Sequence, residues 1–423
     1  MSDPRRTYVP NDRRHKRADG PPLPRLSRWT QLKIWWREID RVLLFFVLAL
    51  MAFGAVAVSA ASPASADRLS TSTVTLPELY FFTKHIGWQA VGLLTMFAAS
   101  MLSRTHARRL AVVLAALMIA GLFLVPIIGS EINGAKRWLD LGMRIQPSEF
   151  LKPAFAIGIA WVLSWRMRDP NLPVVPLSGA ILALVCVLLM MQPNLGAAIL
   201  FVGVWFVLIL LSGVPVKRLS ILAGAGLAAL TAAYFLYDNA RHRIDAFFGD
   251  GTAYDQVYFA ESTLLSGGWL GAGYGLGMRK MNLPEAHTDY IFSVIGEEFG
   301  LLVCAMLVLA YLAIVMRVMM RLIDEDDLFA VLAGAGLASL LGGQAFINML
   351  VNLQLFPSKG MTLPLVSYGG SSTIAICLTV GLLLAITRRN PFLKRETTGL
   401  SDLIPWPERK GQDNIAIRRE IYP

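Results

Sequence analysis

Apolar runs of about 20 residues, the length a helix needs to cross the hydrocarbon core of a bilayer, recur along this chain between residues 42 and 388. They lie near 42–62, 86–104, 109–129, 149–167, 174–192, 194–212, 218–237, 290–317, 328–351 and 362–388. With 55% hydrophobic and 16% charged residues among 423, and a mean hydropathy of +0.54, the chain lacks the polar surface of an ordinary soluble protein. The expectation is an all-α polytopic membrane protein of about ten transmembrane helices, with a large extracytoplasmic loop between spans 7 and 8. The short junctions Gln192-Pro193-Asn194 and Ser212-Gly213-Val214-Pro215 read as tight turns between helices, because proline cannot continue a helix interior.

The net charge of +10 would suggest nucleic acid if it lay on one soluble face. Instead Lys and Arg gather in the N-terminal tail and at Arg104 to Arg109, Arg166 to Arg168, Lys217-Arg218, Arg317 to Arg321 and Arg388 to Arg395. With ten spans these all fall on one side, which marks it as cytoplasmic, with both termini inside. Residues 130–148, 238–288 and 352–361 are then outside. Residues 1–40 read as a disordered basic cytoplasmic tail without a signal-peptide plan, ending in an interfacial segment around Trp29 to Trp36. Residues 41–390 form the membrane domain and 391–423 a cytoplasmic tail. Cys186, Cys304 and Cys377 sit in apolar runs without metal-ligand spacing and read as packing residues.

Charged residues at the edge of a membrane domain are expensive and need a reason. The segment Leu283-Pro284-Glu285-Ala286-His287-Thr288-Asp289-Tyr290-Ile291-Phe292, followed by Gly296-Glu297-Glu298, gathers four carboxylates and a histidine where a polar loop meets an apolar run. Gly134-Ala135-Lys136-Arg137-Trp138 offers two cations that could grip a phosphate, or simply anchor a loop at the interface. In Gln146-Pro147-Ser148-Glu149-Phe150-Leu151-Lys152-Pro153, a helix starting near Pro147 would set Glu149 and Lys152 on one face as an ion pair. Lys359-Gly360-Met361-Thr362-Leu363-Pro364-Leu365-Val366-Ser367-Tyr368-Gly369-Gly370-Ser371-Ser372 would interrupt regular helix and present backbone N–H groups to an anion, with small-residue packing as the competing account. Gly267-Gly268-Trp269-Leu270-Gly271-Ala272-Gly273-Tyr274-Gly275-Leu276-Gly277 reads by default as flexible spacer, with a mobile loop over a site as the alternative.

Together these segments resemble the SEDS family of bacterial cell-wall polymerases, in order and on the expected side of the membrane, from about residue 41 to 390. The basic tail and the LPEAHTD wording resemble the family's cell-division branch more than its elongation branch. The resemblance implies a glycosyltransferase that joins lipid II into β-1,4 glycan strands at the outer face of the cytoplasmic membrane, releasing undecaprenyl pyrophosphate. It carries the essential aspartate of the HTD motif onto Asp289. A sugar hydroxyl is a poor nucleophile until a base takes its proton, and a carboxylate suits that work. At the first turn of a span the helix dipole favours the charged form of Asp289, while Glu285 and desolvation oppose it.

Substrate contacts would come from Lys136, Arg137, Glu149, Lys152, Gln192, Asn194, Arg243, Gln256, Glu285, His287, Lys359, Ser367, Ser371 and Ser372, with the cations neutralising pyrophosphate. Charge also leaves room for a divalent cation, Mg or Mn, although no ligand cluster marks one. The chain departs from the family pattern at Asn194, where most members carry a carboxylate, so hydrogen bonding is what remains there. Tyr254-Asp255-Gln256 and Leu276, Met278 and Arg279 depart as well, which gives a different loop surface. The resemblance implies a class B penicillin-binding protein transpeptidase as partner, with other division-complex membrane proteins and membrane lipids, at the division septum. A lipid flippase or a non-catalytic scaffold for the transpeptidase are the rival readings. The charges cluster at the outer rim instead of the midplane, which favours surface chemistry on a lipid-linked substrate.

Overall fold

The computed structural model describes residues 27–389, apart from 72–73, 133–134, 141, 168, 170, 238–240, 242–244, 246–255 and 358–359. The two tails, Arg243 and Lys359 therefore lie outside the described residues. A short helix α1 (Arg28–Glu38) leads into α2 (Arg41–Leu69), α3 (Tyr80–Ser100) and α4 (Arg104–Ile128). A small antiparallel sheet follows, of β1 (Ser130–Ile132), β2 (Ala135–Asp140) and β3 (Arg144–Ile145). Then come α5 (Pro147–Ser164), α6 (Val174–Met190), α7 (Leu195–Leu211), α8 (Val216–Leu236) and the short α9 (Gln256–Ser266). The chain closes with α10 (Ile291–Leu322), α11 (Leu328–Asn352) and α12 (Gly370–Ile386). Among the described residues α2, α4, α10 and α11 are long and apolar enough to cross a bilayer unaided, and α6, α7 and α12 are apolar helices of 17 residues.

Helix starts are set by side chains that take up first-turn N–H groups left without an intrahelical partner. Asp40 accepts from Val42 and Leu43 at the head of α2, Ser103 from His106 at α4, and Asp327 from Phe329 at α11. Asp40 also binds Arg317 at 2.8 Å and Arg321 at 2.6 Å. Around it Arg388 meets Glu38, Arg389 meets Asp324, and Arg104 meets Glu325 and Asp327. This ring of ion pairs closes the Arg-rich end of the bundle.

Nine of the ten spans lie close to the apolar runs, and the last differs. Helix α12 begins at Gly370, because residues 361–369 are an extended and turned segment sunk into the bundle. Leu363, Leu365 and Val366 are buried, and a Cβ on Gly54, mid-way along α2, would stand 2.7 Å from the Val366 Cα. Non-helical backbone at membrane depth survives only where protein satisfies it. Here the Tyr311 hydroxyl donates to the Pro364 carbonyl, and the Leu363 N–H donates to Ser367 Oγ at 2.8 Å.

The glycine-rich loop is not a spacer. Helix α10 breaks at Gly300, whose φ of 84° lies in the left-handed region that glycine alone adopts freely. Loop N–H groups of Ala272 and Gly273 donate to the carbonyls of Glu297 and Glu298, while those of Leu301 and Leu302 donate back to Gly268 and Trp269. Glu298 is paired with Lys280 and accepts from Gly275 and Gly277; Glu297 accepts from the N–H groups of Arg279 and Lys280. Both carboxylates are buried and hold the loop to the broken helix. The three cysteines are free, and Cys377 packs against Gly92 of α3.

Candidate active site

Opposite the ion-pair ring, a cavity of about 990 Å³ opens at the end of the bundle. Its walls come from β2 and β3 with the start of α5, from Trp88 of α3, from loop 284–290, and from segments 360–362 and 368–372. The sheet exists because residues 130–132 and 135–140 pair across Asn133-Gly134, a dipeptide suited to tight hairpins, with Glu131 opposite Lys136.

Asp289 stands at the mouth of α10. Its Oδ2 is 3.0 Å from where a Cβ on Gly360 would lie, and Arg137 Nη1 is 4.0 Å from the same point, so glycine leaves room between carboxylate and guanidinium. Arg137 is fixed from behind, its Nε donating to the Gln192 carbonyl at 3.2 Å and its Nη2 to the Pro193 carbonyl at 2.6 Å. The α6–α7 turn therefore serves as a rigid mount for a cation. Glu285 holds a left-handed backbone at φ 52° and accepts from the Thr288 hydroxyl at 2.8 Å. Strain of this kind in a non-glycine residue is a usual mark of functional loops.

Glu149 and Lys152 form the expected pair at 2.6 Å. Glu149 also accepts from Ser372, and Lys152 donates to Gln344, whose amide donates on to the Thr362 carbonyl. Buried charges are tolerable when they are paired and further hydrogen-bonded in this way. On α11, Gln344, Asn348 and Asn352 stand four residues apart on one face. Asn348 donates to the carbonyls of Asp289 (2.8 Å) and Met361 (2.7 Å), and Asn352 donates to the Asp289 carbonyl at 3.2 Å.

Of the residues singled out in the sequence, Arg137, Glu149, Gln256, Glu285, His287, Asp289, Ser371 and Ser372 line the cavity. The other described ones stand elsewhere. Lys136 is exposed outside the lining, Lys152 sits one layer beneath it, and Ser367 bonds the Thr288 carbonyl at 2.6 Å, tying two wall segments together. Gln192 donates to the Leu122 carbonyl, and Asn194 caps α7 by accepting from the Ala197 N–H. His287 is buried between Phe81 and Tyr368, at ring distances of 4.1 and 5.2 Å. Burial pushes its imidazole down to about 4, which keeps it neutral. Trp88 and Arg144 in the walls, and the α11 amides beneath them, were not singled out from the sequence. Gln344, Asn348 and Asn352 carried a signal, being polar residues at helical spacing in an apolar span. Among the described residues no three His, Cys, Asp or Glu side chains gather to cage a metal.

The family model described as "Cell cycle protein", FtsW/RodA/SpoVE, matches residues 40–391. The chain belongs to this family. Its FtsW relatives include the protein of Caulobacter vibrioides, 35% identical over 86% of this chain and 92% of that one, and that of Aromatoleum aromaticum, 32% identical over 85% and 90%. Both are named "Probable peptidoglycan glycosyltransferase FtsW". The fold is similar to a chain from a structure concerned with polymerization and crosslinking by a peptidoglycan synthase complex, with TM-score 0.69, 29% identity and coverage of 83% of this chain and 98% of that one. It is also similar to the crystal structure of Thermus thermophilus rod shape determining protein RodA, with TM-score 0.62, 28% identity and coverage of 84% and 99%. In this FtsW/RodA/SpoVE chain the matched region takes in every wall of the cavity.

Proposed function

We propose that the chain is a peptidoglycan glycosyltransferase of the division type, which polymerises lipid II into β-1,4 glycan strands at the outer face of the inner membrane. The observation that carries this reading is the carboxylate of Asp289 set beside the anchored guanidinium of Arg137 in a cavity of about 990 Å³. That volume is at the upper end of what small-molecule sites enclose, roughly 300–1,000 Å³.

In the reaction the acceptor hydroxyl oxygen bonds to the anomeric carbon of the donor. The bond from that carbon to the pyrophosphate oxygen breaks, and its electron pair leaves with undecaprenyl pyrophosphate. Asp289 takes the hydroxyl proton as the bond forms. Arg137 and Arg144, both lining the cavity, offset charge growing on the pyrophosphate, where fixed cations act most strongly. Trp88, Trp138 and Tyr368 give flat apolar walls against which sugar rings rest. Among the described residues the donors in the walls do not make a metal cage. The cytoplasmic termini, the septal location and pairing with a class B transpeptidase belong to the same reading.

Asp289→Asn tests it. The exchange keeps shape and removes the basic oxygen, so glycan strands from labelled lipid II should fall by at least roughly a hundredfold, with insertion and transpeptidase co-purification retained. Near-normal strands from this variant would remove the catalytic assignment. Lost lipid movement with polymerisation intact would favour a flippase.

A further inference from the structure

Helix α10 begins at Ile291 with no side-chain cap of its own at Tyr290. Had the helix wound back one step further, the Ser293 N–H would bond the Asp289 carbonyl in the ordinary i to i−4 pattern. Asn352, fully buried on α11, occupies that place. Its Oδ1 accepts from the Ser293 N–H at 3.1 Å and from the Ser293 hydroxyl at 2.7 Å, and its Nδ2 donates to the Asp289 carbonyl at 3.2 Å. The Ser293 N–H is shared with the Tyr290 carbonyl at 3.0 Å. One side-chain amide thus stands in for the missing helical bond. Asn348, one turn earlier, donates to the same Asp289 carbonyl and to Met361. The two lone pairs of that carbonyl are both taken, which fixes its peptide plane.

We propose that Asn352 and Asn348 are positioning residues: they stop α10 from winding through Asp289 and hold its backbone so that the carboxylate points into the cavity. This deepens the reading of Asp289 as base and rests on it. An α10 extended to Asp289 would impose helical backbone angles on that residue and so re-aim the carboxylate that now stands beside Gly360. Neither asparagine lines the cavity, so substrate affinity lies outside their reach. Their effect belongs to the rate of the chemical step. Misplacement by about 1 Å is enough for a hundredfold loss.

The test measures kcat and KM for lipid II with the full-length protein and its co-expressed transpeptidase, normalised to folded protein by size exclusion and thermal melting. Asn352→Leu keeps the volume and removes both halves of the amide. The expected result is kcat down about a hundredfold with KM within about twofold, and most of the loss recovered in Asn352→Gln, which keeps the amide. Asn348→Leu should fall less, since Asn352 still holds the carbonyl. If Asn352→Leu does not insert, Asn352→Ser, too short to reach Asp289, is read in its place with the same expectation. Unchanged kcat per folded molecule, or a rise in KM with kcat held, overturns the proposal. Asp289→Asn run in parallel separates the two readings: an inactive Asp289→Asn beside a fully active Asn352→Leu ends the positioning role alone, and an active Asp289→Asn ends the base on which it rests.

Discussion

At the scale of single residues, the site separates groups that face substrate from groups that hold them. His287 belongs to the second kind. It stands two residues from Asp289, yet its ring is wedged between Phe81 and Tyr368 and its Nδ1 has no hydrogen-bond partner among the described residues. Its pKa of about 4 in the fold is below the ordinary 6.5, so between those values the unfolded chain binds the proton that the folded chain refuses. Stability from this residue is therefore complete above pH 6.5 and is lost as pH falls through about 4, a span worth roughly 3 kcal/mol. The melting temperature should fall on acidification from pH 6.5 to 4.5, and His287→Phe, which keeps the ring packing, should flatten that slope. A slope identical in the two proteins would place the proton elsewhere. Asp289, Arg137 and the Glu149–Lys152 pair were legible because charges in an apolar chain demand a reason. The layer behind them was less so: a neutral amide such as Asn352 costs little in a hydropathy scan, and its value depends on which carbonyl it meets.

At the scale of elements, three breaks in regular structure interrupt the bundle, and the first two of them wall the cavity. They are the hairpin of β1 and β2, the sunken segment 361–369, and the break of α10 at Gly300. Hydropathy alone located the spans but not these breaks, since Met361, Leu363, Leu365 and Val366 are as apolar as any helix; the interruption across 361–369 was legible instead from the hydroxyls and adjacent glycines of that run. Asn133-Gly134 and Pro364 were the local signals available. The glycine-rich loop looked like spacer because glycine marks mobility and close packing alike. In the fold Gly271 has a φ of 84°, and a Cβ there would collide with the Glu298 carbonyl. Gly271→Val should therefore push the loop off α10, leave the Glu298–Lys280 pair without its backbone donors, and cost well over 2 kcal/mol. Accumulation in the membrane and the melting temperature should both drop, although no group in the cavity is touched. Wild-type melting in Gly271→Val would return the loop to the status of spacer.

At the scale of the whole molecule, charge is sorted by end. Asp40, Glu38, Asp324 and Glu325 are matched to Arg317, Arg321, Arg388, Arg389 and Arg104 in a closed ring. The cavity end instead holds Arg137, Glu285 and Asp289 in an open site. The Arg-rich end is the one that the distribution of Lys and Arg assigns to the cytoplasm, and a polymerase of lipid-linked sugars needs its cavity on the other face. The two readings rest on different physics, loop charge and site chemistry. They can fail together. In a chain with Cys186, Cys304 and Cys377 replaced by alanine, Lys136→Cys lies on the exposed side of β2, and Asp169→Cys lies in an exposed loop at the Arg-rich end. In spheroplasts an impermeant thiol reagent should label the first at once and the second only after permeabilisation. The reverse pattern would put the cavity inside the cell, where a strand-building site could not deliver glycan to the wall, and would overturn both the orientation and the proposed reaction.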